Sequence, residues 1–164
     1  MVTAPRAERR VVSAATHVDA EPRRIFQILT DITQHALIDG SGTLTGTPAG
    51  PVRLVLGSEF SMGMRQAGRE YRSLNRVVEL DPDRRLAWES IGVWRGHKVV
   101  GGQRWRWQLT PTDTGTEVVA SYVWGYATLA LLTVWLPGFP RRVSTTLPGS
   151  LDQLRHLLDT DGPP

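Results

Sequence analysis

The chain has 164 residues, 40% of them hydrophobic and 21% charged, with a formal net charge of +3 and no cysteine. That length suits one domain, whose folding buries about 70% of the unfolded chain's surface. The lack of cysteine excludes a disulfide scaffold, a thiolate metal site and a cysteine nucleophile, and 16 Gly with 11 Pro favour hairpins over a helical bundle.

Residues 1–10 read as a flexible arm, without the apolar stretch of a signal peptide. Residues 11–18 form a short β-rich run. Asp19-Ala20-Glu21-Pro22 follows, with Pro22 where a first helical turn tolerates proline, and Ile25, Phe26, Ile28, Leu29 and Ile32 recur at helical spacing. Asp31 suits the cap of a second short helix, ended by Gly40-Ser41-Gly42.

From Leu44 the period changes to two. Phe60, Met62 and Met64 alternate with Ser61, Gly63 and Arg65, and a strand of about ten residues is expected over residues 70–80. Asp81-Pro82-Asp83 marks a turn, after which Leu86 and Trp88 alternate on the returning strand. Trp105, Trp107 and Leu109 then alternate with arginines and glutamine. A turn at residues 112–115 leads into Val118, Ala120, Tyr122 and Trp124. Leu147, Leu151, Leu154, Leu157 and Leu158 close the chain as a one-faced helical stripe, with Pro148 near its start, and residues 160–164 read as a frayed tail.

The basic residues are 18 Arg and the single Lys98, scattered in pairs such as Arg84-Arg85 and Arg141-Arg142. A nucleic-acid binder concentrates such charge in one stripe and carries a motif; neither is visible, so no nucleic-acid partner is expected. The longest apolar-rich run, residues 127–136, is cut by Pro137-Gly138. Ten residues fall short of the roughly 20 that span a bilayer as a helix. The expectation is a cytoplasmic protein without stable membrane insertion, in which this run serves as a lid over a cavity or as the contact of a homodimer; an interfacial membrane anchor is the third reading, weakened by the lack of interleaved charge.

On this strand parity Phe60, Met62, Met64, Trp88, Trp105, Trp107, Tyr122 and Trp124 share the inward face. Buried indole N–H groups need partners, so such a stripe suits either an ordinary core or a cavity wall for an aromatic ligand, with methionine as adaptable filler. Tyr71, Ser73 and Asn75 alternate on the long strand, and Glu79 and Glu89 lie near strand ends. These could bond a ligand's oxygen or simply face solvent. Asp31, His35 and Asp39 stand at i, i+4 and i+8, one helical face, where a carboxylate would orient and activate His35 as a general base. Each acid also has a plain structural use, as N-cap or turn residue. His17, His97 and His156 are remote from this trio, so no metal site is expected. The absence of P-loop, Rossmann and G-x-S-x-G signatures likewise argues against nucleotide cofactors and a serine triad.

The segments Asp19-Ala20-Glu21-Pro22-Arg23-Arg24-Ile25-Phe26-Gln27-Ile28-Leu29-Thr30-Asp31, Ile38-Asp39-Gly40-Ser41-Gly42, Val77-Val78-Glu79-Leu80-Asp81-Pro82-Asp83-Arg84-Arg85-Leu86-Ala87-Trp88, Gly101-Gly102-Gln103-Arg104-Trp105-Arg106-Trp107 and Gly115-Thr116-Glu117-Val118 resemble the polyketide cyclase/dehydrase and START-like lipid-transfer (SRPBCC) superfamily. The matches are spread over about residues 11–158 of a single domain assigned to residues 11–159, and residues 125–142 depart from the family pattern. It implies an α+β helix-grip fold: a curved antiparallel sheet wrapped around a long C-terminal helix, with two short helices after the first strand. It also implies a cavity between sheet and helix that takes a hydrophobic or aromatic molecule, polyketide-, lipid- or sterol-like, without a cofactor. Beside an interaction domain whose cavity is filled by its own tryptophans, which a cavity well under about 300 Å³ would favour, two ligand-handling functions remain open. One is a carrier or sequestering protein, whose ligand touches Phe60, Met62, Met64, Tyr71, Asn75, Trp88, Trp105, Trp107 and Trp124. The other is a cofactor-free cyclase or dehydratase using His35, Asp39 and Tyr122 in acid/base roles.

Overall fold

A computed structural model describes residues 9–66, 68–94 and 97–160. Residues 1–8 of the expected arm and residues 161–164 of the tail lie outside the described residues. The elements run β1 (Val11–Val18), α1 (Pro22–Leu29), a single 3₁₀ turn (Ile32–Gln34), β2 (Leu44–Ala49), β3 (Glu59–Gln66), β4 (Arg69–Asp81), β5 (Arg85–Trp94), β6 (His97–Thr112), β7 (Gly115–Val123), a π turn (Leu131–Trp135) and α2 (Phe139–Thr160).

The strands form one curved antiparallel sheet in the order β1-β7-β6-β5-β4-β3-β2. Only β1 leaves sequence order, pairing Val12 with Tyr122 and Val18 with Thr116. Helix α1 starts at Pro22, whose missing N–H costs nothing there, and buries Ile25, Phe26 and Leu29. Asp31 caps the 3₁₀ turn, its carboxylate accepting from Thr33 N at 3.0 Å. The stretch from Asp31 to Asp39 is therefore one short turn followed by irregular backbone. The expected i, i+4, i+8 helical face does not form.

Helix α2 packs chiefly on β1 and buries Val143, Leu147, Leu151, Leu154 and Leu158. It begins eight residues before the leucine stripe, at Phe139, so Pro148 is interior and withholds one helical N–H. Its neighbourhood explains the tolerance. Gly40 passes so close that an added Cβ would lie 2.2 Å from Ser150 N and 2.6 Å from Thr146 O, and Gly40 N donates to Ser150 Oγ at 2.9 Å. A loop backbone thus docks where the helix is locally loosened.

A bulge at Val78 shifts the β4–β5 register, with Val77 opposite Trp88 but Glu79 opposite Ala87. The bulge turns Glu79 to the outer face, where Arg106 reaches it at 2.7 Å. Glu89 is also outside, 3.9 Å from Arg104. Neither glutamate is available to a ligand inside the sheet. Arg104 stacks over Tyr126 at 4.0 Å.

Candidate functional site

Between the concave face of the sheet and the first half of α2 lies a cavity of about 490 Å³. The strand register builds its wall in rows. One row runs Val77–Trp88–Trp105–Tyr122 across β4, β5, β6 and β7; the next runs Phe60–Asn75–Ser90–Gln103 across β3 to β6. The first is aromatic and the second mostly polar. Trp105 and Tyr122 touch with ring centroids 4.7 Å apart, while Phe60 stands edge-on to Trp88 at 5.9 Å.

Phe60, Met62, Met64, Tyr71, Asn75, Trp88, Trp105, Trp107 and Tyr122 all line this space. Asn75 is buried, and its Oδ1 accepts from Ser90 Oγ at 2.8 Å. Tyr71 sits half-exposed at the rim. Trp124 is not among the lining residues. It follows the last residue of β7, where Arg10 lies over its ring at 5.3 Å.

His35 and Asp39 also line the cavity, but no hydrogen bond or ion pair joins them among the described residues. Buried His35 donates from Nε2 to the Leu29 carbonyl at 2.9 Å and stacks on Trp88. Burial lowers its pKa, partly offset by that carbonyl and by Asp31, so the imidazole is neutral. Asp39 accepts from Ser41 N (3.0 Å), Ser41 Oγ (2.6 Å) and Leu44 N (2.9 Å), which makes it the staple of the loop into β2. Burial, with Tyr71 nearby, pushes the Tyr122 hydroxyl far above its usual range, so it can donate a hydrogen bond but is a poor proton source. Among the described residues no group of three His, Asp or Glu could hold a metal ion.

Sequence reasoning missed the helical side of the cavity. Phe139, Val143, Thr146 and Leu147 of α2 line it, as do Ser90 and Gln103. The early start of α2 was hidden by Pro140 and Pro148. The polar row is in phase with the aromatic one, Ser90 two residues after Trp88 and Gln103 two before Trp105, so the same alternation extended along β5 and β6 reaches it.

Of residues 127–136, Thr133 and Val134 line the cavity. Ala127, Ala130 and Val134 are buried, while Leu129, Leu131, Leu132 and Leu136 are each more than half exposed. Thr128 N donates to Gly101 O at 2.8 Å, and an added Cβ on Gly102 would lie 2.4 Å from Tyr126 O, so the first residues of this segment are laid directly on β6. No described helix is long and apolar enough to cross a membrane.

The sequence profile of the polyketide cyclase/dehydrase and lipid transport family matches residues 9–159, and the chain belongs to that family. It is 36% identical over 114 residues to uncharacterized protein Rv0088 of Mycobacterium tuberculosis, which covers 68% of this chain and 47% of that protein. The chain thus spans about half the length of the curated relatives it matches. Among solved structures it resembles protein Ms6760 of Mycobacterium smegmatis (TM-score 0.67, 17% identity, 93% of each chain). It also resembles the di-domain ARO/CYC StfQ from the steffimycin biosynthetic pathway (TM-score 0.67, 16% identity), covering 93% of this chain and 51% of that one. A third likeness is the Aha1 dimer of Colwellia psychrerythraea (TM-score 0.60, 18% identity, 88% of this chain and 92% of that one). At these identities the structural likeness concerns the fold.

Proposed function

We propose that the protein binds a hydrophobic or aromatic small molecule, polyketide-, lipid- or sterol-like, inside the cavity and carries or sequesters it. The observation that carries this reading is the Trp88–Trp105–Tyr122 row facing about 490 Å³ of space. That volume lies within the roughly 300–1,000 Å³ of small-molecule sites, and flat aromatic walls suit flat apolar ligands. The leucines exposed on residues 129–136 supply a surface on which a second copy could pack.

Native mass spectrometry of the purified protein, followed by denaturing release, tests the reading. A co-purified apolar molecule supports it. An empty protein whose tryptophan fluorescence ignores lipids, sterols and polyketide aromatics overturns it.

The second reading is a cofactor-free cyclase or dehydratase. Its support is neutral His35, whose Nδ1 has no hydrogen-bond partner among the described residues, together with the likeness to the StfQ aromatase/cyclase. A neutral imidazole with one nitrogen anchored and the other unbonded can take a proton from a substrate. Asp39 would serve by shaping the loop, and Tyr122 by donating a hydrogen bond to a substrate oxygen. Turnover of an aromatic polyketone that survives His35→Phe would sink this reading and leave the carrier standing.

A further inference from the structure

The polar row has a direction. Ser90 Oγ donates to Asn75 Oδ1 at 2.8 Å, and Asn75 Nδ2 donates to Ser73 Oγ at 3.3 Å. Each group hands its proton onward, so the chain ends on the Ser73 hydroxyl, which has no acceptor among the described residues and lines the cavity. Across β5 the residue opposite Ser73 is Gly92, so no side chain covers that hydroxyl from the neighbouring strand. Gln103, opposite Ser90, also lines the cavity, and its amide has no side-chain partner among the described residues.

The charged groups that line the cavity already have protein partners: Asp39 accepts from three donors, and Arg72 donates to Ser61 Oγ at 2.7 Å. The Ser73 hydroxyl is thus the lining donor left over for a ligand oxygen on β4.

From these arrangements we propose that the ligand is a flat molecule whose polar end is a hydrogen-bond acceptor such as a ketone or ester carbonyl, and that Ser73 determines this specificity by donating to it. This deepens the reading of the cavity as a ligand site and rests on it. The aromatic row holds the apolar body, and the adjacent Asn75–Ser90–Gln103 row fixes which end points toward β4.

The test uses two probes of one skeleton, fluorene and 9-fluorenone, titrated into the full chain by calorimetry. The ketone should bind about 3- to 10-fold tighter than the hydrocarbon, the range of one net hydrogen bond. In Ser73→Ala, with folding checked by its thermal midpoint, the ketone-to-hydrocarbon ratio should fall to about one, whereas Ser73→Thr, which keeps a hydroxyl, should retain it. Equal binding of fluorene and fluorenone to the unaltered protein would overturn the proposed specificity while leaving the apolar site intact. Failure of both probes would remove the ligand site itself.

Discussion

The imidazole of His35 lies nearly flat on the indole of Trp88, with ring centroids 5.2 Å apart and planes 21° from parallel, while its Nε2–H is tied to the Leu29 carbonyl. A residue that reads in sequence as half of an acid/base pair is thus built into an aromatic stack. Its neutral form is an integral part of the wall.

Stability should therefore depend on pH through His35. Burial holds its folded pKa below the usual value of 6.5, and in the unfolded chain it titrates near that value. Below about pH 6.5 the unfolded chain takes up a proton that the folded state resists. The contribution is complete above the unfolded pKa and is lost as pH falls toward the folded one. Thermal midpoints between pH 8 and pH 5 should fall on acidification, and His35→Phe should flatten the slope. Parallel slopes for the two proteins would contradict this.

Gly40→Ala should be among the more damaging single changes. Its Cβ would meet backbone atoms of α2, which have no rotamer to give, so the loop or the helix must move. Overpacking of this kind costs about 2–3 kcal/mol, a fall in Tm of about 5–10 °C for a domain of this size. Removing only the Gly40 N–H partner, with Ser150→Ala, should cost about 1 kcal/mol by comparison.

The tryptophans should separate by position. Trp105→Ala removes a ring from the cavity wall and from its contact with Tyr122, and should weaken binding of fluorenone by about 10-fold or more, in line with the large area an indole contributes. Trp124→Ala should leave the affinity within about twofold, since that ring lies outside the cavity against Arg10. Equal losses for the two would mean that the ligand sits elsewhere.

Leu129 holds a left-handed backbone conformation, φ 50°, with its side chain exposed. That geometry costs a non-glycine residue about 1–2 kcal/mol, and little burial is at stake. Leu129→Gly should therefore be more stable than Leu129→Ala by about 1 kcal/mol in thermal denaturation. The reverse order would show that the backbone is not strained at this position.

Much of the architecture is legible in the sequence because it rests on period-two alternation and turn chemistry. Trp105, Trp107 and Leu109 against Val118, Ala120 and Tyr122 place the last hairpin almost residue by residue, and Asp83, at φ 59°, takes up the left-handed turn geometry that its Pro-Asp context suggests. The inward aromatic face follows from the same parity. What parity cannot reveal is where it breaks. The bulge at Val78 sends Glu79 outward, and Trp124 lies beyond the end of its strand. Helical spacing was equally misleading for Asp31, His35 and Asp39, because side-chain capping by both acids competes with continuing the helix. The beginning of α2 was obscured by its two prolines, and with it the helical wall of the cavity.

The proline within α2 divides the helix into two bars with different duties. The first, residues 139–147, carries Phe139, Val143, Thr146 and Leu147 on the cavity side; the second holds Leu151, Leu154 and Leu158 in the core. Pro148 withholds one helical hydrogen bond at their junction, and Gly40 docks there from one side. The expected consequence is that the cavity-facing bar opens independently of the core-facing one. Amide exchange should report this as early opening over residues 141–147 and late opening over 151–158, so that a guest can enter at a free-energy cost well below that of unfolding the domain.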